Sequence, residues 1–206
     1  MSGSKDMSGF LGAHRSVMDT AIKVVEQVRP DQLGLRTPCA AWDLGQLLAH
    51  MTGQNHGFAA VARGERTDAS VFADRPVVAD PGAEFAASAR DVVAAFNEEG
   101  VAERKFWLPE IAGGIALGAR TSMGFHFVDY VVHSWDVAVS LGQRVEFDEE
   151  ILARALTVAE AVPGGAPREQ AGSAFAPALE HADRAPVLDR ILALLGRSPG
   201  WPGAAA

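Results

Sequence analysis

The chain has 206 residues, 48% of them hydrophobic, and a mean hydropathy of +0.06. With 18 Lys and Arg against 26 Asp and Glu the net charge is −8 and no basic run interrupts it, which excludes nucleic acid and an anionic membrane as partners. One cysteine, Cys39, excludes a disulfide framework or multi-cysteine zinc site, the opening MSGSKDMSGF has no signal-like core, and no apolar stretch is long enough to span a bilayer; these features predict one cytoplasmic domain acting on a small molecule. Residues 1–8 are expected to be disordered. From residue 9 to 29, Phe10, Leu11, His14, Val17, Met18, Ala21, Val24, Val25 and Val28 recur at the spacing of an amphipathic helix stopped by Pro30, with Lys23, Glu26 and Arg29 on its wet side. Asp43 is a good N-cap for a helix from Leu44 to about Ala62, and Asp80-Pro81 opens a third helix running to about Glu99. Val101–Pro109 reads as a short strand or a loop, and Gly113-Gly114 breaks any helix. A fourth helix is predicted from about Arg120 to Leu141, a fifth from Asp148 to about Ala161, and a short closing one over Val187–Leu195, after an irregular stretch at 163–185. The expected fold class is all-α: a helical bundle over 9–162, with 163–206 as an irregular C-terminal extension carrying one short helix.

Two of these helices are polar in an unusual way. At about 100° per residue, Ser122, His126, Asp129, His133, Asp136 and Ser140 share one stripe of the fourth helix less than a quarter-turn wide. A solvent face would explain such a stripe, but Thr121–Gln143 contains no Lys, Arg or Glu. The second helix likewise lacks Lys, Arg and Glu, and it places Asp43, Gln46, Gln54, Gly57 and, slightly further round, Gly53 beside His50. Small residues there would leave room for something bound. Buried imidazoles and carboxylates need partners. Mutual hydrogen bonding is one solution. A metal is the other: Asp129 and His133, at i and i+4, can reach one ion, with His50 from a facing helix as third ligand and an open fourth position. This donor set suits zinc, nickel or ferrous iron.

The motifs TPCAAWDLGQLLAHMTG (37–53) and FHFVDYVVHSWDVAVSLG (125–142) resemble the two signatures of the DinB-like, mycothiol-dependent maleylpyruvate isomerase superfamily. The close APVLDRILALLGRSPGW (185–201) is similar to its small actinobacterial metal-binding branch. The resemblance implies a DinB-like four-helix bundle holding one divalent metal, usually zinc, through His50, Asp129 and His133. It also implies activation of a low-molecular-weight thiol such as mycothiol for transfer or isomerisation. The chain departs from the isomerase in having Asp129 where that enzyme has Glu, and in having too few residues after 162 for its C-terminal domain.

Further residues divide between roles. His126 is a candidate catalytic proton carrier or a structural residue, and Asp136 can orient a ligand imidazole or bond a loop amide. His56 points away from His50. Cys39 reads as a structural thiol, Trp42 and Trp135 as packing residues, and the Gly113-Gly114 loop lacks the context of a phosphate cradle. The leading expectation is a metal-dependent enzyme that activates a mycothiol-like thiol for transfer to, or isomerisation of, a small electrophile. The alternatives are a metal-dependent hydrolase and a non-catalytic metal- or ligand-binding protein. The expected partner is a small-molecule substrate, with a homodimer left open.

Overall fold

Apolar spacing and capping residues set the helices of the computed structural model, which describes residues 2–65, 68–77, 80–109, 114–169 and 175–202. The described residues are mostly helical and form six α-helices: α1 (Ser2–Val25), α2 (Leu44–Ala62), α3 (Pro81–Phe96), α4 (Ala119–Ser140), α5 (Glu149–Ala161) and α6 (Val187–Leu194). Asp43 caps α2 by accepting from the Gln46 amide, and Gln46 returns the bond to the Asp43 amide, a reciprocal capping box. Asp80 accepts from the amides of Gly82 and Ala83 at the start of α3, with Pro81 in the first turn. Asp148 stands at the N-cap of α5 without a side-chain cap bond.

Three boundaries differ from the sequence reading. Helix α1 starts at Ser2, inside the segment expected to be disordered, because Asp6 pairs with Arg120 and Arg154 and Met7 packs against the core. It ends at Val25, before Pro30, which opens a short 3-10 turn instead. Helix α3 ends at Phe96, three residues early. The ambiguous stretch after it forms β1 (Lys105–Leu108), paired antiparallel with β2 (Ile115–Gly118) in register Lys105 with Gly118. Phe106 and Leu108 point inward from this hairpin. Gly114, with φ +109°, enters β2; its expected partner in the break, Gly113, lies outside the described residues.

Helices α1 to α4 share one apolar core. Val17, Met18, Leu44, Leu47, Leu48, Phe85, Phe96, Phe127, Val131 and Val132 are among its fully enclosed members, and burying such side chains is the main favourable contribution to the fold. Beyond exposed Arg120, helix α4 is buried on nearly every side, as the lack of Lys, Arg and Glu from Thr121 onward predicts. Helices α5 and α6 pack together, and the guanidinium of buried Arg168 ties their ends by donating to the carbonyls of Pro163, Val162 and Leu194 at 2.7, 3.0 and 2.6 Å. No helix among the described residues is long and apolar enough to cross a membrane.

Candidate metal centre

The facing ends of α2 and α4 bring His50, Asp129 and His133 together. One donor atom from each lies within 4.8 Å of the other two. The i to i+4 spacing puts Asp129 and His133 on one side of α4, with His133 Nε2 at 3.3 Å from Asp129 Oδ1. His50 enters from α2, its ring 5.7 Å from that of His133 and nearly perpendicular to it. The Trp42 indole lies over His50 at 4.4 Å between ring centres, so this tryptophan packs on a site residue as well as on the core.

Each imidazole has its outer nitrogen engaged. His133 Nδ1 is 2.9 Å from Asp136 Oδ2, and His50 Nδ1 is 3.5 Å from Asp74 Oδ1. That arrangement makes Nδ1 the outward-facing nitrogen and turns His133 Nε2 toward Asp129, the face on which a ligand nitrogen would stand. Asp136 therefore holds a ring, not a loop amide. Burial opposes charge on His133, but Asp129 and Asp136 outweigh it and push its pKa up to about 9. Burial works against ionised Asp129 too, yet His133, His50 and Arg197 bring its pKa down to about 2. His50 is lowered by burial and by His133. The group is thus an anionic carboxylate facing two imidazoles that a cation would hold unprotonated. Two nitrogens and one carboxylate oxygen at this spacing fit zinc, nickel or ferrous iron with a position left over.

A second convergence, Cys39 with His133 and Asp136, has metal-like spacing but is already satisfied. Arg197 Nη2 lies 2.7 Å from Cys39 Sγ and 3.5 Å from Asp136 Oδ2, so a guanidinium occupies the cationic position. Burial, reinforced by Asp136, pushes the Cys39 thiol up to about 12, which keeps it protonated and unreactive.

Two sequence expectations change. His126, the candidate proton carrier, does not join the group. Its Nδ1 is 3.1 Å from His14 Nε2 and its Nε2 3.2 Å from Asn55 Oδ1, so both nitrogens are taken inside the core. The small residues beside His50 leave no room either. A Cβ on Gly57 would fall 2.2 Å from the Phe72 ring, and one on Gly53 would fall 2.4 Å from the Ala73 carbonyl. The 3-10 turn at Ala69–Phe72 fills the space that the glycines open. His56, as expected, stays away from the group and stands near Asp91. Sequence reasoning missed Asp74 and Arg197, which reach the site from loops far along the chain and carry no periodic signal.

The family description "Mycothiol maleylpyruvate isomerase N-terminal domain" matches residues 14–138, which span both helices of the site. The chain belongs to that DinB-like family. Two Mycobacterium tuberculosis proteins, from strains CDC 1551 and H37Rv and each described as uncharacterized, are 32% identical to it over 190 residues, covering 91% of this chain and 97% of theirs. No solved structure matches.

Proposed function

We propose that α1 to α4 form a DinB-like four-helix bundle whose His50, Asp129 and His133 hold one divalent cation, zinc foremost with nickel or iron as alternatives. In this reading the protein is an enzyme that activates a mycothiol-like thiol for transfer to, or isomerisation of, a small electrophilic substrate. The observation that carries it is the convergence of two imidazoles and a carboxylate from α2 and α4 within 4.8 Å, in a chain of the mycothiol isomerase family. When bound, a divalent cation lowers a thiol's pKa and supplies a thiolate at neutral pH.

The chain's own residues prepare that chemistry. Asp136 orients His133 by accepting from its Nδ1, Asp74 faces His50 Nδ1 at 3.5 Å, and Trp42 shields the His50 flank from water. With both rings neutral, Asp74, Asp129 and Asp136 against Arg197 leave the protein side with two negative charges, which would match a divalent cation. A groove of about 400 Å³, lined by Asp43, Gln46, Ala49, Asp74 and Val77, is linked to the site through Asp74, which stands 3.5 Å from His50, and is the space this reading gives the electrophile.

The test is to load the protein with zinc and incubate it with an electrophile such as maleylpyruvate, with and without mycothiol. Turnover that requires the thiol is the expected result. Turnover with water alone makes the protein a hydrolase, and turnover in neither case makes it a binding protein.

A further inference from the structure

We infer that Arg197 is a positioning residue for the metal centre: through the Asp136 carboxylate it fixes the ring of His133, so the turn after α6 completes a site whose ligands stand on α2 and α4. This inference rests on the metal reading above.

The side chain that makes the link is only 4% exposed, and its surroundings are specific. Arg197 Nη2 faces Asp136 Oδ2 at 3.5 Å, the same oxygen that holds His133 Nδ1 at 2.9 Å. Among the described residues the other carboxylate oxygen, Oδ1, is buried without a hydrogen-bond partner, so the contacts of Asp136 are concentrated on Oδ2, which the ring, the guanidinium and, at 3.8 Å, Cys39 Sγ share. Burying a carboxylate is costly, and a permanent cation against it offsets that cost. Nη1 donates to the Leu195 carbonyl at 2.9 Å, and the guanidinium lies 5.8 Å from the centre of the Phe175 ring.

The backbone that delivers Arg197 is held independently of this contact. Helix α6 buries Ile191, Leu192 and Ala193, with Leu195 just beyond it, and ends in a glycine turn: Gly196 has φ +79°, and the amides of Gly196 and Arg197 return to the carbonyls of Ala193 and Leu192 at 3.1 and 2.8 Å. A Cβ at position 196 would fall 2.6 Å from that of Ala176, so the turn also sits hard against the preceding loop. Removing the guanidinium therefore leaves its backbone anchored and changes chiefly what Asp136 feels. Groups that orient a metal-binding imidazole in this way typically contribute about 10–100-fold in metal affinity.

The experiment measures zinc affinity by competition with a chromophoric chelator, alongside urea unfolding of the metal-free forms. Arg197→Met, which keeps the packing on Phe175, should weaken zinc on the order of 10–100-fold, and Arg197→Lys should recover much of that loss. In an Asp136→Asn background, Arg197→Met should change zinc affinity no further, an absence of additivity that a purely structural role would not produce. If Arg197→Met does not fold, the same comparison with Arg197→Lys decides, the expected modest loss vanishing in the Asp136→Asn background. Zinc affinity equal to wild type in the Arg197 variants, or an equal loss with and without Asp136, overturns this inference alone. Zinc binding that is absent from wild type, or unchanged in His133→Ala, overturns the metal reading and this inference with it.

Discussion

Helix α4 carries two buried histidines two turns apart, and their surroundings differ in kind. His133 stands among Asp129, Asp136, His50 and Arg197, a set rich in formal charge, with the Trp42 ring 6.4 Å away. His126 stands in a neutral chain that crosses four helices. His14 on α1 meets it on one side, and on the other its Nε2 donates to Asn55 Oδ1 on α2, whose Nδ2 donates in turn to Ser88 Oγ on α3 at 2.9 Å. Phe58, Phe96 and Tyr130 enclose its ring, and Tyr130 donates to the Met51 carbonyl. Burial pushes His126 well below its usual range and His14 down to about 3, while carboxylates push His133 the other way. A buried imidazole is therefore no sign of a metal by itself. The sign of the charge around it decides between a ligand and a structural hydrogen-bonder.

The sharpest way to break this comparison is to remove histidines from each end. The purified protein is expected to carry about one divalent metal per chain. His50→Ala/His133→Ala should lose it and His126→Ala should keep it, as elemental analysis of the three proteins will show. Equal metal in all three would erase the difference between the ends.

Stability should respond in the opposite order. In metal-free protein His126→Ala opens a cavity among aromatic rings and strands Asn55 and His14, so a loss of about 3 kcal/mol or more is expected in urea unfolding. His50→Ala, at a partly exposed position beside a surface aspartate, should cost about 1 kcal/mol.

The neutral end should also respond to acid. His14 titrates near 3 in the folded chain and near 6.5 when unfolded, so the unfolded state binds more protons between those values. Its contribution is complete above pH 6.5 and is lost as the pH falls toward 3. His14→Gln should flatten that acid limb relative to wild type, and superimposable profiles would show that His14 is not held neutral. The smallest effect is expected at Cys39: Cys39→Ser preserves an acceptor for Arg197 and should leave zinc affinity within about twofold of wild type.

Much of the site is legible in the sequence. The absence of Lys, Arg and Glu from two helical stretches marked α2 and α4 as buried, and the i to i+4 pair at Asp129 and His133 is fixed by helix geometry alone. The caps at Asp43 and Asp80 were readable because a side-chain cap acts within three residues. His14 was not readable as polar machinery, since its spacing placed it among the apolar positions of α1 and only the crossing of α4 gives it a partner. Gly53 and Gly57 were read as open space because helical position says nothing about which loop packs there.

What the sequence by itself determined is local: helix periods, caps, turn breakers and the ligand types on each helix, all set by interactions between residues a few positions apart. The tertiary structure alone decided three matters. It turned His126 inward to His14 and Asn55, filled the glycine face of α2 with Phe72, and brought Arg197 from beyond α6 back onto Asp136. Each depends on contacts between segments far apart in sequence, where packing density and the pairing of buried charges select one arrangement and no periodicity records it.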